Sequence, residues 1–150
     1  MRIYVASSWR NKRQPLVIDF LREIGHEVYD FRHPCPYDTG FHWSQIGEGW
    51  KDWTRDEFRD ALQHPLACSG YALDICALKT CDACVLIMPC GRSAHLELGF
   101  AVGMGKATAI LLETGEPELM YRMVDHLCVC KEELAQVFSA EQFTGGEITG

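Results

Sequence analysis

Apolar residues along the chain concentrate in five short runs, separated by longer segments of mixed polarity. Most of the runs are continuously apolar rather than alternating, which is typical of strands buried on both faces of a parallel sheet. We therefore predict five β-strands, at residues 3–6, 27–31, 83–88, 108–112 and 127–130.

The segments between these runs have helical periodicity. Gly25 follows the first of them as a C′ glycine would, and the run Thr54 to Glu57 has the residues of a capping box. Strands that alternate with helices form βαβ units with right-handed crossovers, so we predict a three-layer α/β fold. The predicted helices cover residues 14–24, 55–63, 70–79, 94–103, 117–124 and 132–138.

One stretch, at about residues 34–53, breaks this pattern with polar and aromatic residues. A loop of this length is usually functional or disordered, and its aromatic content favours a lid or a subunit interface. The rest of the 150 residues show no repeat and no linker, so a single domain over 1–150 is expected. The aromatic residues of the stretch are Tyr37, Phe41, His42, Trp43, Trp50 and Trp53.

Composition narrows the class of partner. Fourteen basic and twenty-one acidic residues give a net charge of −7, which disfavours a nucleic-acid polymer as ligand. The N-terminus lacks the pattern of a secretory signal, and no apolar stretch approaches the ~20 residues that span a bilayer. We expect a cytoplasmic protein that does not enter a membrane.

Eight cysteines raise the question of disulfides or a metal. Without an export signal, reduced thiols are the better interpretation. Cys81 and Cys84 have the spacing of a zinc half-site, and Cys128 and Cys130 could add ligands. The second pair is poorly spaced, and Cys84 and Cys130 lie in apolar runs where a thiol behaves as a small hydrophobe. No metal or other cofactor is expected.

Ligands of an open parallel sheet bind at the carboxyl ends of its strands. Three segments should meet there: residues 7–11, the segment from Arg32, and residues 89–93. Ser93 is predicted to be the N-cap of the fourth helix, which would suit an anion such as a phosphate or carboxylate. Gly91 allows close approach and Arg92 adds charge, although an ordinary serine cap would leave the same pattern.

Glu97 is harder to explain by structure alone. With Ser93 as N-cap it occupies N4 rather than the N3 position of a capping box, and its helix is apolar almost all round, so burial is expected. A carboxylate in such a helix is costly unless it is paired or functional. The alternative is a partly exposed glutamate favoured by the helix dipole. Asp82 lies at the start of the third predicted strand, and the pattern alone predicts that it is a boundary residue exposed to water.

Two blocks of the chain resemble the nucleoside 2-deoxyribosyltransferases and the related nucleoside 5′-monophosphate N-glycosidases. The first block is Ile3-Tyr-Val-Ala-Ser-Ser-Trp-Arg-Asn-Lys-Arg-Gln14. The second contains Asp74, Asp82 and the run Ser-Ala-His-Leu-Glu-Leu-Gly-Phe-Ala101. Together they cover about a third of the chain, and the Glu-Leu-Gly part is the specific one.

The resemblance implies a flavodoxin-like, doubly wound fold and a family mechanism. Glu97 would be the nucleophile that attacks the anomeric carbon of the sugar. Asp82 would contact the base and help protonate it, and Tyr4 would steady the nucleophile. This agrees with the two-carboxylate logic of retaining glycosyl transfer. The resemblance also implies a homodimer or a higher homo-oligomer, because sites of this family are completed across subunits.

Two departures from the family affect the predicted activity. The transferases have an acid ahead of the nucleophile, whereas this chain has Gly91, Arg92 and Ser93. The transferases also receive an asparagine from a neighbouring subunit, in a region where this chain has Asp125, which could substitute.

We therefore predict an enzyme that hydrolyses the base–sugar bond of a nucleoside or nucleoside 5′-monophosphate. Base exchange, a non-catalytic nucleotide sensor and an NAD- or ADP-ribose-cleaving module are the alternatives. The substrate would be bound by residues of the first and third loops and by Asp125: Ser7, Ser8, Trp9, Arg10, Gly91, Arg92, Ser93 and Asp125.

Overall fold

The computed structural model describes residues 1–139 and confirms the predicted parallel sheet. The strands run in the order β2-β1-β3-β4-β5, and every neighbouring pair is parallel. This is a flavodoxin-like, doubly wound α/β fold. The strands are β1 (Arg2–Ala6), β2 (Glu27–Asp30), β3 (Ala83–Ile87), β4 (Ala107–Leu111) and β5 (His126–Cys128).

Five α-helices connect or follow the strands. They are α1 (Gln14–Glu23), α2 (Arg55–Ala61), α3 (Pro65–Thr80), α4 (Arg92–Gly103) and α5 (Lys131–Val137). The predicted capping box at the start of α2 is present, because Thr54 Oγ1 accepts from the Glu57 amide and the Glu57 carboxylate accepts from the Thr54 amide. Gly25 follows α1 with φ +98°, as its prediction requires.

Two predicted helices differ in the structure. α3 begins at Pro65, five residues earlier than predicted, because Pro65 occupies the first turn and His64 Nδ1 accepts from the Leu66 amide as a cap. The predicted helix over 117–124 is instead a 3₁₀ helix at Leu119–Met123. The break at 34–53 contains two further 3₁₀ turns, at Trp43–Gln45 and Trp50–Asp52.

Apolar side chains form a separate core on each face of the sheet. On one face α1 and α5 cover the strands through Ile18, Leu21 and Leu134. On the other face α3 and α4 pack through Leu78 and Leu98. The helices change face between β1 and β3, so the switch point of the fold lies at the carboxyl ends of these two strands.

No helix among residues 1–139 is long and apolar enough to cross a bilayer. Residues 140–150 lie outside the described part of the chain, so a single domain over 1–150 stays a prediction.

Candidate active site

A row of three side chains crosses the sheet beneath α3 and α4. Tyr4 of β1 is in register with Tyr29 of β2 and with Cys84 of β3. The two tyrosine rings are stacked, with centroids 5.2 Å apart. Tyr4 and Cys84 are fully buried. The row therefore forms the base of the space between α3 and α4.

Two carboxylates lie above this floor, one from each helix. Asp74 of α3 accepts a hydrogen bond from the Tyr29 hydroxyl at 2.8 Å. Glu97 of α4 is close enough to Asp74 and Tyr4 for each to affect its ionisation. Both carboxylates are only partly exposed. Among residues 1–139, no lysine, arginine or histidine forms a salt bridge with either one.

Burial without a countercharge raises the affinity of this pair for protons. Burial raises the pKa of Glu97 to about 7, the Asp74 charge adds to the rise, and the Tyr4 hydroxyl opposes it. Burial also raises the pKa of Asp74, against the effect of the hydrogen bond from Tyr29. Two nearby carboxyl groups that resist joint ionisation can hold one proton near neutral pH. The pair can therefore supply a carboxylate and a carboxylic acid together.

The Tyr4 hydroxyl is an unused donor beside this pair. Its oxygen is buried and has no partner at hydrogen-bonding distance within the described residues. Burial and then the charges of Glu97 and Asp74 raise the pKa of Tyr4 far above its ordinary value, so the phenol stays protonated. An unpaired buried hydroxyl costs free energy, and catalytic hydrogen bonds are often long before substrate binds. Tyr4 is placed to close such a bond with Glu97.

The loop after β1 is fastened to the end of β3. Ser7 Oγ donates to the Ile87 carbonyl at 3.0 Å. Asn11 Nδ2 donates to the Ile87 and Pro89 carbonyls at 3.3 and 3.1 Å. Ser7 therefore has a structural partner of its own. Ser8, Trp9 and Arg10, the other predicted binding residues of this loop, lie between these two attachments.

These three residues lie at the rim of the sheet. Ser8 Oγ accepts from the Arg10 amide at 3.2 Å, and the Arg10 side chain is exposed. The Trp9 ring is 40% exposed and packs edge-on against Phe31. Ser8 and Arg10 are thus available at the carboxyl end of β1.

The start of α4 differs from its prediction. The N-cap is Gly91, and Ser93 lies in the first turn with an exposed side chain. Glu97 consequently lies beyond the first turn, so a dipole effect at the helix terminus does not account for it. Gly91 can serve because glycine is an acceptable cap. Gly91, Arg92 and Ser93 still lie together after β3, as predicted.

The prediction that α4 is buried all round was wrong. Ala94, Leu98 and Ala101 are buried, whereas Leu96 is 77% and Met104 51% exposed. Only one stripe of the helix, with these three residues, is buried against the sheet.

Two predicted site residues lie at the amino edge of the sheet, opposite the carboxyl edge at which ligands were expected to bind. Asp82 directly precedes β3, is exposed, and accepts a hydrogen bond from the Arg2 amide at 2.7 Å. Asp125 directly precedes β5 and accepts from the amide and hydroxyl of Thr108 at 2.8 and 3.0 Å. Both line a cavity of about 1310 Å³ at this edge.

The position of Asp82 corrects its assigned role. A strand of five residues separates the amino edge from the carboxyl edge, and Asp82 is already bonded to the backbone of β1. Its interpretation as a boundary residue agrees with this placement, and its role as the acid at the base does not. Asp125 is likewise not beside Glu97 of its own chain.

The aromatic stretch of residues 34–53 packs against the loop after β1. The His42 ring faces Trp9 with centroids 4.0 Å apart. At Gly40, which has φ +76°, a Cβ would lie 2.5 Å from the Phe31 carbonyl, so a side chain is excluded there. The stretch therefore contacts the loop after β1, and its function as a lid stays a prediction.

The segment after β4 is held against α4 by His95. His95 Nε2 and the Tyr121 hydroxyl are 2.8 Å apart, and the two rings stack. His95 Nδ1 lies 2.9 Å from the Gly91 carbonyl. Beside it, burial and then the Glu97 charge raise the pKa of Cys90 to about 11, so the thiol is protonated at neutral pH.

Sequence reasoning did not assign the roles of Asp74 and Tyr29. Asp74 is part of the resembling block, but its distance from Glu97 depends on how α3 packs on α4, which no local pattern specifies. One signal was available: Asp74 lies between Leu73 and Ile75 in a helix whose apolar residues predict burial. Tyr29 could have been found from its register with Tyr4 in neighbouring parallel strands.

Comparisons with known proteins agree on the fold. No family model and no curated protein matches the sequence. Among solved structures, the chain is similar to a 2-deoxyribosyltransferase from the psychrotolerant bacterium Bacillus psychrosaccharolyticus. The TM-score is 0.63 at 16% identity, over 95% of each chain. It is also similar to the CMP N-glycosidase BcmB from Clostridium botulinum, with a TM-score of 0.52 at 23% identity, over 91% of this chain and 96% of that one. Both structures share the doubly wound α/β fold of this chain.

Proposed function

We propose that the protein is an N-glycosidase that cleaves the base–sugar bond of a nucleoside or nucleoside 5′-monophosphate. The observation that carries the proposal is the pair Glu97 and Asp74, two partly buried carboxylates without a countercharge in the described chain. A fold has no structural use for such a pair, whereas glycoside cleavage needs one carboxylate and one carboxylic acid. The activities of the two similar structures support the same chemistry.

Glu97 is the nucleophile in this mechanism. Its ionised oxygen attacks C1′ of the sugar, the bond between C1′ and the base nitrogen breaks with its electrons leaving on the base, and a glycosyl ester forms on Glu97. Tyr4, which has a free hydroxyl beside Glu97, orients the attacking carboxylate by a hydrogen bond.

Asp74 replaces Asp82 as the acid. In its protonated form, which burial favours and the hydrogen bond from Tyr29 opposes, it gives its proton to the leaving base. Water then attacks the ester, the Asp74 carboxylate accepts a proton from that water, and Glu97 is released as a carboxylate. The Tyr29 hydroxyl, bonded to Asp74 at 2.8 Å, fixes the orientation of the acid.

A 5′-phosphate is the preferred anion. Ser8 and Arg10 lie after β1, and Arg92 and Ser93 begin α4, so two arginines and a helix N-terminus flank the carboxyl end of the sheet. Asp125 is bonded to Thr108 at the far edge, so it does not bind the sugar within its own chain. The exposed side chains of Leu96 in α4 and of Met104, which follows the helix, are compatible with the predicted homo-oligomer.

Base exchange is the second candidate, because the same two carboxylates can transfer the sugar to a second base. The 2-deoxyribosyltransferase with the same fold favours it. Hydrolysis is preferred because residues 91–93 offer no acid to bind a sugar hydroxyl.

The test incubates the protein with a panel of nucleosides and 5′-monophosphates, with and without an acceptor base, and separates the products by chromatography. Free base without acceptor is the expected result, and exchange only with acceptor would assign base transfer instead. NAD belongs in the panel, since release of nicotinamide would point to the NAD-cleaving alternative. Unchanged substrate with both the wild type and Glu97→Gln contradicts the proposal, and tight binding of an uncleaved nucleotide would favour a sensor.

A further inference from the structure

Asp74 lies in a stripe of α3 that faces the interior of the fold. The residues of this stripe are three or four positions apart, and all are buried or half-buried: Ala67, Gly70, Asp74 and Leu78. Helical side chains lean toward the N-terminus of their helix, so the Asp74 side chain lies over the turn that contains Gly70. Because Gly70 has no side chain, the space beside Asp74 is left to another element.

Phe41 of the aromatic stretch packs at this position. A Cβ on Gly70 would lie 2.8 Å from Phe41 Cβ and 3.2 Å from Phe41 Cγ, so a larger residue does not fit beside the ring. Glycine inside a helix is less stable than alanine, and the contact with Phe41 accounts for the glycine. Residues four apart on a helix have Cβ atoms about 5–6 Å apart, so Phe41 packs about one helical turn from Asp74.

The same stretch also approaches the partner of Asp74 on β2. Burial and the Asp74 carboxylate are the main causes that raise the pKa of Tyr29, and the charge of Asp38 adds to them, so Asp38 lies near the Tyr29 hydroxyl. Asp38 Oδ1 accepts from the Gly40 amide at 2.8 Å, which fixes the chain directly before Phe41. The stretch therefore packs around both members of the hydrogen-bonded pair Tyr29 and Asp74.

We propose that Phe41, packed on Gly70, is a positioning residue that shields the Asp74 carboxyl from water and so favours the protonated form that the leaving base needs. The inference rests on the proposed function for the role of that proton. Burial is the main cause that raises the pKa of Asp74, and a carboxyl shielded from water holds its proton more tightly. Phe41 carries no charge, so it acts on Asp74 by excluding water.

Among residues 1–139, titratable groups face Asp74 from three elements. They are Tyr29 from β2, Tyr4 from β1 and Glu97 from α4. Burial above all raises the pKa of both tyrosines far above the ordinary value, so neither changes charge near neutral pH. The pKa of Glu97 is about 7, so its titration overlaps with that of Asp74. Glu97→Gln removes this second titration and keeps the size of the side chain.

The first test measures kcat of Phe41→Ala with two substrates that have the same sugar. For a nucleotide whose base must be protonated, kcat should fall about tenfold. For a nitrophenyl glycoside analogue, whose leaving group departs without a proton, it should change less than about threefold. Phe41→Leu should recover much of the loss, because leucine also excludes water. Equal losses for the two substrates in Phe41→Ala would overturn the inference, since general damage to the site affects both.

Tyr37→Ala is the matched control, because Tyr37 lies in the same stretch with a fully exposed side chain. It should leave kcat for both substrates unchanged.

A second variant changes the contact from the side of α3. Gly70→Ala adds a Cβ at 2.8 Å from Phe41 Cβ, so Phe41 must move, and the same selective loss for the nucleotide is expected. Gly49→Ala is the control in the aromatic stretch, because a Cβ there would meet no atom within 4 Å. If Gly70→Ala were as active as the wild type with both substrates, the contact would not serve the acid and the inference would be wrong.

A third readout does not need turnover. NMR of the Glu97→Gln protein with ¹³C-labelled aspartate follows the titration of Asp74, whose signal is assigned by its loss in Asp74→Asn. Adding Phe41→Ala should move the midpoint to lower pH by about half a pH unit or more, because water then stabilises the carboxylate. An unchanged midpoint overturns the inference even if the enzyme is active. If the midpoint moves but the wild type cleaves no nucleotide, the proposed function fails while the shielding of Asp74 by Phe41 stands.

Discussion

Two pairs of acidic residues in this molecule lie in opposite surroundings. At the amino edge of the sheet, Asp82 and Asp125 each accept hydrogen bonds from a neighbouring strand and are exposed to water. Between α3 and α4, Asp74 and Glu97 share a partly buried space, repel each other, and have no cation bonded to them among residues 1–139. Asp82 and Asp125 each precede a strand, and their hydrogen bonds stabilise the sheet. Burying Asp74 and Glu97 without a countercharge destabilises the fold instead. The difference separates structural carboxylates from those that function explains.

Removing the nucleophile should have the largest effect. Glu97→Gln keeps the size of the side chain but cannot form the ester, so kcat should fall by about a thousandfold or more. Asp82→Asn, at the other edge, is the control and should change kcat less than about threefold. Comparable losses in the two variants would reverse the assignment of the two pairs.

Removing the acid should have the next largest effect. Asp74→Asn cannot protonate the leaving base, so kcat for a natural substrate should fall by about a hundredfold. A substrate whose base leaves without protonation, such as a nitrophenyl glycoside analogue of the same sugar, should lose far less. Asp82→Asn is the matched control and should behave as the wild type toward both substrates. An equal loss for both substrates in Asp74→Asn would argue against its role as acid.

The stability of the fold should reveal the cost of the functional pair. The pKa of Glu97 in the folded protein, about 7, lies above its ordinary value of 4.5. The folded state therefore binds this proton more tightly than the unfolded state, and ionisation of Glu97 destabilises the fold as pH rises. Glu97→Gln should increase the free energy of unfolding by about 1–3 kcal/mol at pH 8.

That gain should disappear as pH falls through 7 towards 4.5, because the wild-type carboxyl is then neutral. Urea unfolding at pH 5 and pH 8 measures it. Asp82→Asn should give no gain at either pH, since its carboxylate accepts a backbone hydrogen bond that the amide replaces poorly. If Glu97→Gln were less stable than the wild type at pH 8, ionised Glu97 would not destabilise the fold as described.

The smallest expected effect concerns Tyr4. Its hydroxyl lowers the pKa of Glu97, so Tyr4→Phe should move the acidic limb of the kcat/KM profile to higher pH. In the wild type this limb should have a midpoint near 7, because Glu97 must be ionised to attack. Tyr29→Phe should not move the limb to higher pH, since Tyr29 is bonded to Asp74 and not to Glu97. No shift in Tyr4→Phe would remove Tyr4 from the site.

The sheet could be predicted because most of its strands are continuously apolar, and all five predicted strands are present. The first turn of α4 was harder, since Ser93 and Gly91 are both acceptable N-caps and only the backbone decides between them. Glu97 could be proposed as a functional carboxylate from its apolar helix, and its partial burial agrees with that proposal. Asp74 and Tyr29 could not be given roles, because their contact with each other and with Glu97 depends on packing between elements distant in sequence. The resemblance implied a role for Asp82, whereas a residue that directly precedes a strand lies at the amino edge of a parallel sheet, away from the ligand edge.

The most direct test of the account is to trap the covalent intermediate. A 2′-fluoro nucleotide analogue slows breakdown of a glycosyl ester, so peptide mapping by mass spectrometry can locate the attached sugar. One added glycosyl group is expected on the peptide that contains Glu97, and none in Glu97→Gln or on the peptides that contain Asp82 and Asp125. A sugar attached to any other residue, or turnover of the analogue with no adduct at any time, would contradict Glu97 as the nucleophile.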